Sequence, residues 1–141
     1  MSAVPIVTKA GPRTYTPDEP ILGGQLVEAR TGGKIGVAAA GSVKVLGVAL
    51  TDGQDPDAVV LNGQPLNAAI TPTKIGVAYG GMEVPVTYSA NAAFGDKLVA
   101  TATGKVAPAG ATPDARTIVG ICAEPAGVTV ASNAVGLMRT A

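Results

Sequence analysis

The stretch from Phe94 to Cys122 spells a strand, a Thr-Gly turn, a short strand, a Pro and Gly loop, and a third strand, and the chain has already spelled this once. Gly24-Gln25-Leu26-Val27, Gly33-Lys34-Ile35 and Val45-Leu46-Gly47-Val48-Ala49 match Gly95-Asp96-Lys97-Leu98-Val99, Gly104-Lys105-Val106 and Ile118-Val119-Gly120-Ile121-Cys122. Leu26 and Leu98 lie 72 positions apart, Gly33 and Gly104 71, Val45 and Ile118 73. Offsets that slip only in turns are what duplication of a three-stranded unit leaves, with units at 21–50 and 94–123. Convergence of short Val/Gly strands with polar turns produces the same pattern.

Nineteen glycines and eleven prolines in 141 residues force frequent turns and leave no room for long helices. The chain is long enough for one domain with a core. With no Trp, one Phe and three Tyr, that core falls to Val, Ile, Leu and Ala. Each fully buried Val, Leu or Ile contributes about 1.5–3 kcal/mol, so a single protomer gains from burying surface against copies of itself or a partner. Ten Lys and Arg balance ten Asp and Glu without a block of like charge, which points away from nucleic acid and from anionic membranes. The N-terminus shows no signal-peptide pattern and no apolar run long enough to span a bilayer, so synthesis in the cytoplasm is expected.

Prolines 5, 12, 17 and 20 make residues 1–20 read as an extended N-terminal arm, separable from a β-domain over 21–141. Within the arm Val4, Pro5, Ile6, Val7 and Thr8 form a β-prone docking segment, with Tyr15 as a further contact candidate. Val43–Leu50 is apolar on both faces and is expected to be a central strand. Asn62-Gly63 predicts a hairpin over 58–70, Gly80-Gly81 a second between Lys74–Tyr79 and Met82–Tyr88, and Ser132-Asn133 a third between 127–131 and 135–139. Pro85 implies an edge strand. One helical turn is allowed at Ser89–Ala93. The fold class is all-β: a small β-barrel or sandwich of about ten short strands, with Leu26, Val45, Val48, Leu98, Ile118 and Ile121 as core candidates.

The chain has no histidine, which removes the commonest general base and metal ligand, and with it every Ser-His or Cys-His pair. No serine sits in a nucleophile-elbow frame, and neither Gly-Lys pair has the spacing of a phosphate loop. Cys122, alone in an apolar strand, reads as a buried thiol. Asp52, Asp55 and Asp57 crowd one loop but lack an EF-hand frame, so they read as a solvated turn with cation binding the alternative. No enzyme activity, cofactor or metal is expected.

Gly23-Gly24-Gln25-Leu26-Val27 with Lys44–Asp52, followed by Gly95–Val99 and Ile118–Ala123, resembles the capsid decoration (cement) proteins of tailed bacteriophages over most of the chain. The resemblance implies a structural protein on the capsid exterior that bridges and stabilises major capsid subunits, commonly as a homotrimer, with no active site to transfer. The arm would dock on the capsid or on a neighbouring copy. Another virion module of neck, tail or fibre base is the alternative reading. Gly95–Ala100 is also similar to a strand of biotinyl and lipoyl carrier domains, but the modified-lysine hairpin of that family is missing.

Overall fold

The computed structural model describes residues 11–58 and 71–141. They form ten strands: β1 (Arg13–Tyr15), β2 (Leu26–Ala29), β3 (Ile35–Val37), β4 (Val45–Ala49), β5 (Ile75–Ala78), β6 (Glu83–Thr87), β7 (Lys97–Ala100), β8 (Val106–Pro108), β9 (Ile118–Cys122) and β10 (Val135–Thr140). Single 3-10 turns at Thr31–Gly33, Pro56–Ala58, Ala102–Gly104 and Ala115–Thr117 are the only helical features among the described residues. The protein is all-β. Its strands make two five-stranded antiparallel sheets of order β1-β5-β4-β2-β3 and β6-β10-β9-β7-β8.

Register identifies the two sheets as one unit used twice. Val27 pairs with Val37 as Leu98 pairs with Pro108, and Tyr15 pairs with Ile75 as Val86 pairs with Gly136. Val27 opposes Gly47 as Leu98 opposes Gly120, and in both ladders a bulge follows at the next residue. In each unit one parallel bridge, Pro17 to Ile35 or Tyr88 to Val106, joins the chain just past the first strand to the far edge of the sheet. That bridge curls each sheet into a small barrel and shields an edge that would otherwise present unpaired backbone groups. The duplication therefore runs from Arg13 to Arg139, well beyond the units at 21–50 and 94–123 expected from sequence. Its spacing through β2 and β7 is 71: Val27, not Leu26, is the counterpart of Leu98.

Both units place a glycine at the crowded point of the central strand. A Cβ on Gly47 would run into the Ala78 carbonyl, and one on Gly120 into that of Arg139, the equivalent residue. The interiors are filled by different means. In barrel 1, Gly53 makes room for Ile75; at the matching positions of barrel 2 the sizes are exchanged, with Val128 against Gly136. Gly136 also admits the ring of Tyr88, buried where barrel 1 has Pro17. Close-packed interiors accept such volume-conserving exchanges more readily than a change at one side alone.

Barrel 1 holds its own core of Ile21, Val27, Ile35, Ala49, Ile75 and Val77. The second core does two jobs, filling barrel 2 with Leu98, Val106, Cys122 and Met138 and joining it to Leu26, Ala38, Val48 and Ala78 on the outer wall of barrel 1. That wall seats over one end of barrel 2, where Val84, Ala100, Gly104, Val119 and Thr140 lie against it. The contact is sealed by two bonds: the Gly41 amide donates to the Ala100 carbonyl at 2.9 Å, and Gln25 Nε2 donates to the Thr103 carbonyl at 3.1 Å.

Several sequence expectations change. Arg13–Tyr15 pairs with β5, so the arm boundary expected at residue 20 falls inside barrel 1. β5 and β6 do not form a hairpin: each belongs to a different sheet, and Gly80-Gly81, both with positive φ, is the linker between barrels. Residues 127–131 are not a strand, apart from the Val128 bridge to Ala92, and β10 pairs with β6 and β9 instead. Ser89–Ala93 is a bend rather than a helical turn. The Asn62-Gly63 hairpin and the Val4–Thr8 segment lie outside the described residues.

Candidate interaction surfaces

Leu26, Val48 and Leu98 are fully buried, whereas Val45 and Ile118, counterparts of each other, are half-buried. Ile121 was expected in the core and is 40 % exposed. The reason lies in the duplication. Ile121 is the counterpart of Val48, whose side of the strand is covered only because barrel 2 lies against it; nothing among the described residues covers barrel 2 in the same way. Tyr15, expected as a contact on a free arm, packs half-buried against the core of barrel 1, with the Arg13 guanidinium 5.6 Å from its ring centroid.

The aspartate-rich loop is occupied by protein. Lys34 Nζ lies 3.1 Å from Asp55 and 2.8 Å from Asp57, and the Gly23 amide donates to Asp52 Oδ1 at 2.8 Å. The Asp57 backbone amide and then Lys34 hold the Asp55 carboxyl below its ordinary range, while the two carboxylates raise the Lys34 ammonium. An ammonium in the centre satisfies the charge a cation would have matched, and no metal-ligating cluster occurs among the described residues. Elsewhere the titratable groups serve the fold. Burial opposes ionisation of Glu28, but hydrogen bonds from Ser42 and the Ala39 amide, with Arg30 and Lys44 nearby, bring its pKa below the ordinary value. Burial pushes the Tyr88 hydroxyl well up, and it donates to the Leu137 carbonyl at 2.8 Å. The Cys122 thiol is buried.

What the surface offers instead is apolar side chains and strand edges. Leu22, Leu50 and Phe94 are 60, 43 and 62 % exposed. Between the barrels runs a groove of about 350 Å³, lined by Gly23, Gly24 and Leu50 on one side and Pro85, Thr87 and Val135 on the other. Its second wall is β6, at the edge of its sheet. Met82 and Tyr88 bond toward β10, so by alternation the backbone of Glu83, Pro85 and Thr87 faces away from the sheet. Pro85 removes one of the donors there, which is how a proline sits in this strand without breaking a ladder.

Neither the protein-family models nor the curated proteins give a match. Among solved structures one likeness spans both chains almost entirely. The crystal structure of the head fiber gp8.5 N base of bacteriophage phi29 superposes with a TM-score of 0.59 over 92 % of this chain and 92 % of that one. The chain shares the fold of a phage head-fiber base. At 17 % identity the agreement is one of architecture. A TM-score above 0.5 over such a span marks a shared overall fold. Sequence reasoning missed the contact between barrels. Its only trace in the sequence was the apolar character of Leu26, Val48 and Ala78 on the outward side of strands that already had an inward one.

Proposed function

We propose that this chain is a structural protein of a phage virion, attached to the outside of the head, where it associates as a homotrimer, contacts the major capsid protein and holds neighbouring capsid subunits together. The observation that carries the reading is the fold likeness to a head-fiber base over nine tenths of both chains. The chemistry agrees: a neutral, histidine-free surface with exposed Leu22, Leu50 and Phe94 suits broad adhesive contact, not turnover. Stabilisation follows from mass action, since a protein that binds only the expanded shell favours it by about 2.7 kcal/mol per site at a hundredfold excess over Kd. Repetition over symmetric sites multiplies this. Residues Val4–Thr8 are proposed to add main-chain pairing to a partner strand.

A second reading, a base that carries a further fibre, is favoured by the neighbour's being an N base. Both readings place the protein on the virion exterior. Expanded shells lacking the protein, mixed with it and sedimented, are expected to carry it into the pellet and to resist heat and chelator better than bare shells. Absence from the pellet at every ratio overturns attachment. Attachment with no gain in shell resistance leaves the fibre-base reading and removes the stabilising one.

A further inference from the structure

The contact between the two barrels is head-to-tail. The outer wall of barrel 1 covers the open end of barrel 2, and the surfaces used are not equivalent ones. Among the described residues, such a contact leaves one copy of each surface uncovered. The unused wall is on barrel 2: Lys97, Ile121 and Arg139 stand in one cross-strand row, where barrel 1 has Leu26, Val48 and Ala78. The barrel 1 row is wholly buried; the barrel 2 row is exposed, Ile121 at 40 %. The unused end is on barrel 1. Ala29 is exposed there, whereas its counterpart Ala100 is buried at 3 %. Among the described residues, Gly33 has nothing within 4 Å of a would-be Cβ, whereas Gly104 has Gln25 and the Leu26 carbonyl at 3.0 Å.

We infer that a second copy of this chain occupies these surfaces, with the wall of barrel 2 in one protomer covering the open end of barrel 1 in the next and so repeating the contact already made within each chain. The inference rests on the self-association proposed above and supplies the residues that make it. A contact between unlike surfaces closes into a ring when its rotation allows, and otherwise runs on as a filament. The substitutions along the row set its strength. Lys97 and Arg139 stand where the internal contact has Leu and Ala, and Arg13 lies at the receiving end where barrel 2 has Val84. Glu83 pairs with Arg139 at 2.6 Å, so the like charges that meet across the joint are Lys97 and Arg13. Association between copies is weaker than the internal contact and strengthens as salt screens that repulsion.

Sedimentation velocity on the full chain over a range of concentration and salt reads this directly. The wild type is expected to assemble, more so at moderate than at low salt. Ile121→Lys on the wall and Ala29→Arg at the open end are each expected to weaken assembly at least tenfold while leaving the circular dichroism unchanged, since both positions are exposed. Each variant keeps the surface the other has lost, so an equimolar mixture is expected to form dimers that neither forms alone. Lys97→Leu with Arg139→Ala restores the internal row and is expected to tighten association. A wild type that stays monomeric at every concentration and salt overturns the inference, as does assembly indifferent to both variants or a mixture that forms no dimer. Shell binding is scored separately: a protein that pellets with shells but fails these tests keeps its proposed role and loses this interface.

Discussion

Aspartate at Val48 and at Ile121, one position in the two copies of the unit, is expected to have opposite consequences. Val48 is fully buried between Leu26 and Ala78, and neither neighbour can meet a carboxylate. Val48→Asp forfeits about 1.5 kcal/mol of burial and adds about 3–5 kcal/mol for an uncompensated buried charge. The sum is of the order of a whole domain's stability, about 5–15 kcal/mol. Ile121 is 40 % exposed, with Lys97 and Arg139 directly across on either side. Ile121→Asp loses about 1 kcal/mol of burial and recovers part of it from cross-strand charge pairs of about 0.2–1 kcal/mol. Urea unfolding followed by far-UV circular dichroism is expected to find Ile121→Asp within about 1 kcal/mol of wild type and Val48→Asp largely unfolded in buffer. Equal losses at the two sites would refute the assignment of the Val48 side to an inter-barrel contact.

Gly120→Ala drives a methyl group into the Arg139 carbonyl and is expected to cost about 1–3 kcal/mol in the same assay, with Gly47→Ala alike. Thr103 has φ 60° where barrel 1 has Gly32, so Thr103→Gly is expected to raise stability by about 0.5–1 kcal/mol, read as a higher urea midpoint. The Tyr88 hydroxyl is raised well above 10.0 in the fold, so the unfolded chain releases its proton first and stability is expected to fall as pH rises past about 10. Tyr88→Phe, measured by calorimetry across that range, should remove this part of the decline. Asp55 is depressed in the fold, so its contribution is present at neutral pH and lost as pH falls through the usual carboxylate range toward its lowered value; Asp55→Asn should flatten the acid limb of the melting curve. Deleting residues 1–10 is expected to leave the dichroism intact and weaken shell binding at least tenfold, whereas deleting 1–16 removes β1 and should unfold barrel 1.

Strands and turns were legible because their signals are local. Gly and Pro bound nearly every element, and the Thr-Gly turns at Gly33 and Gly104 reappear as matching 3-10 turns. Pairing was less legible, because a Gly-Gly between two apolar runs reads the same as a hairpin tip or as a linker. Only the partners of Ile75–Ala78 and Glu83–Thr87, which lie in different sheets, decide that Gly80-Gly81 is the second. Tyr15 was misread for the same cause: three extended residues after Pro12 look like an arm until β5 is known to lie beside them. The exchange of Gly53 and Ile75 for Val128 and Gly136 leaves no local mark, since each residue alone is unremarkable and only their mutual approach links them. On the surface, the absence of histidine directs attention to adhesion, but it does not say which apolar residues remain uncovered.

The error that mattered was a single residue wide. Aligning Leu26 with Leu98 matches letters and gives an offset of 72; the ladders give 71 and make Lys97 the counterpart of Leu26. In a strand a slip of one residue moves every side chain to the other face. With the letter-matched offset the two units share one core, and Val48 and Ile121 both belong to it. With the ladder offset, Leu98 answers to Val27 inside the barrel, and Leu26 and Val48 become wall residues with a reason of their own to be apolar. The duplicated unit then carries two apolar faces in its first copy and one in its second. That difference is what the unit's outer wall looks like with and without a neighbour fixed against it. Lys97 and Arg139 keep the second wall soluble, while Ile121 stays between them at the position where the first wall carries Val48.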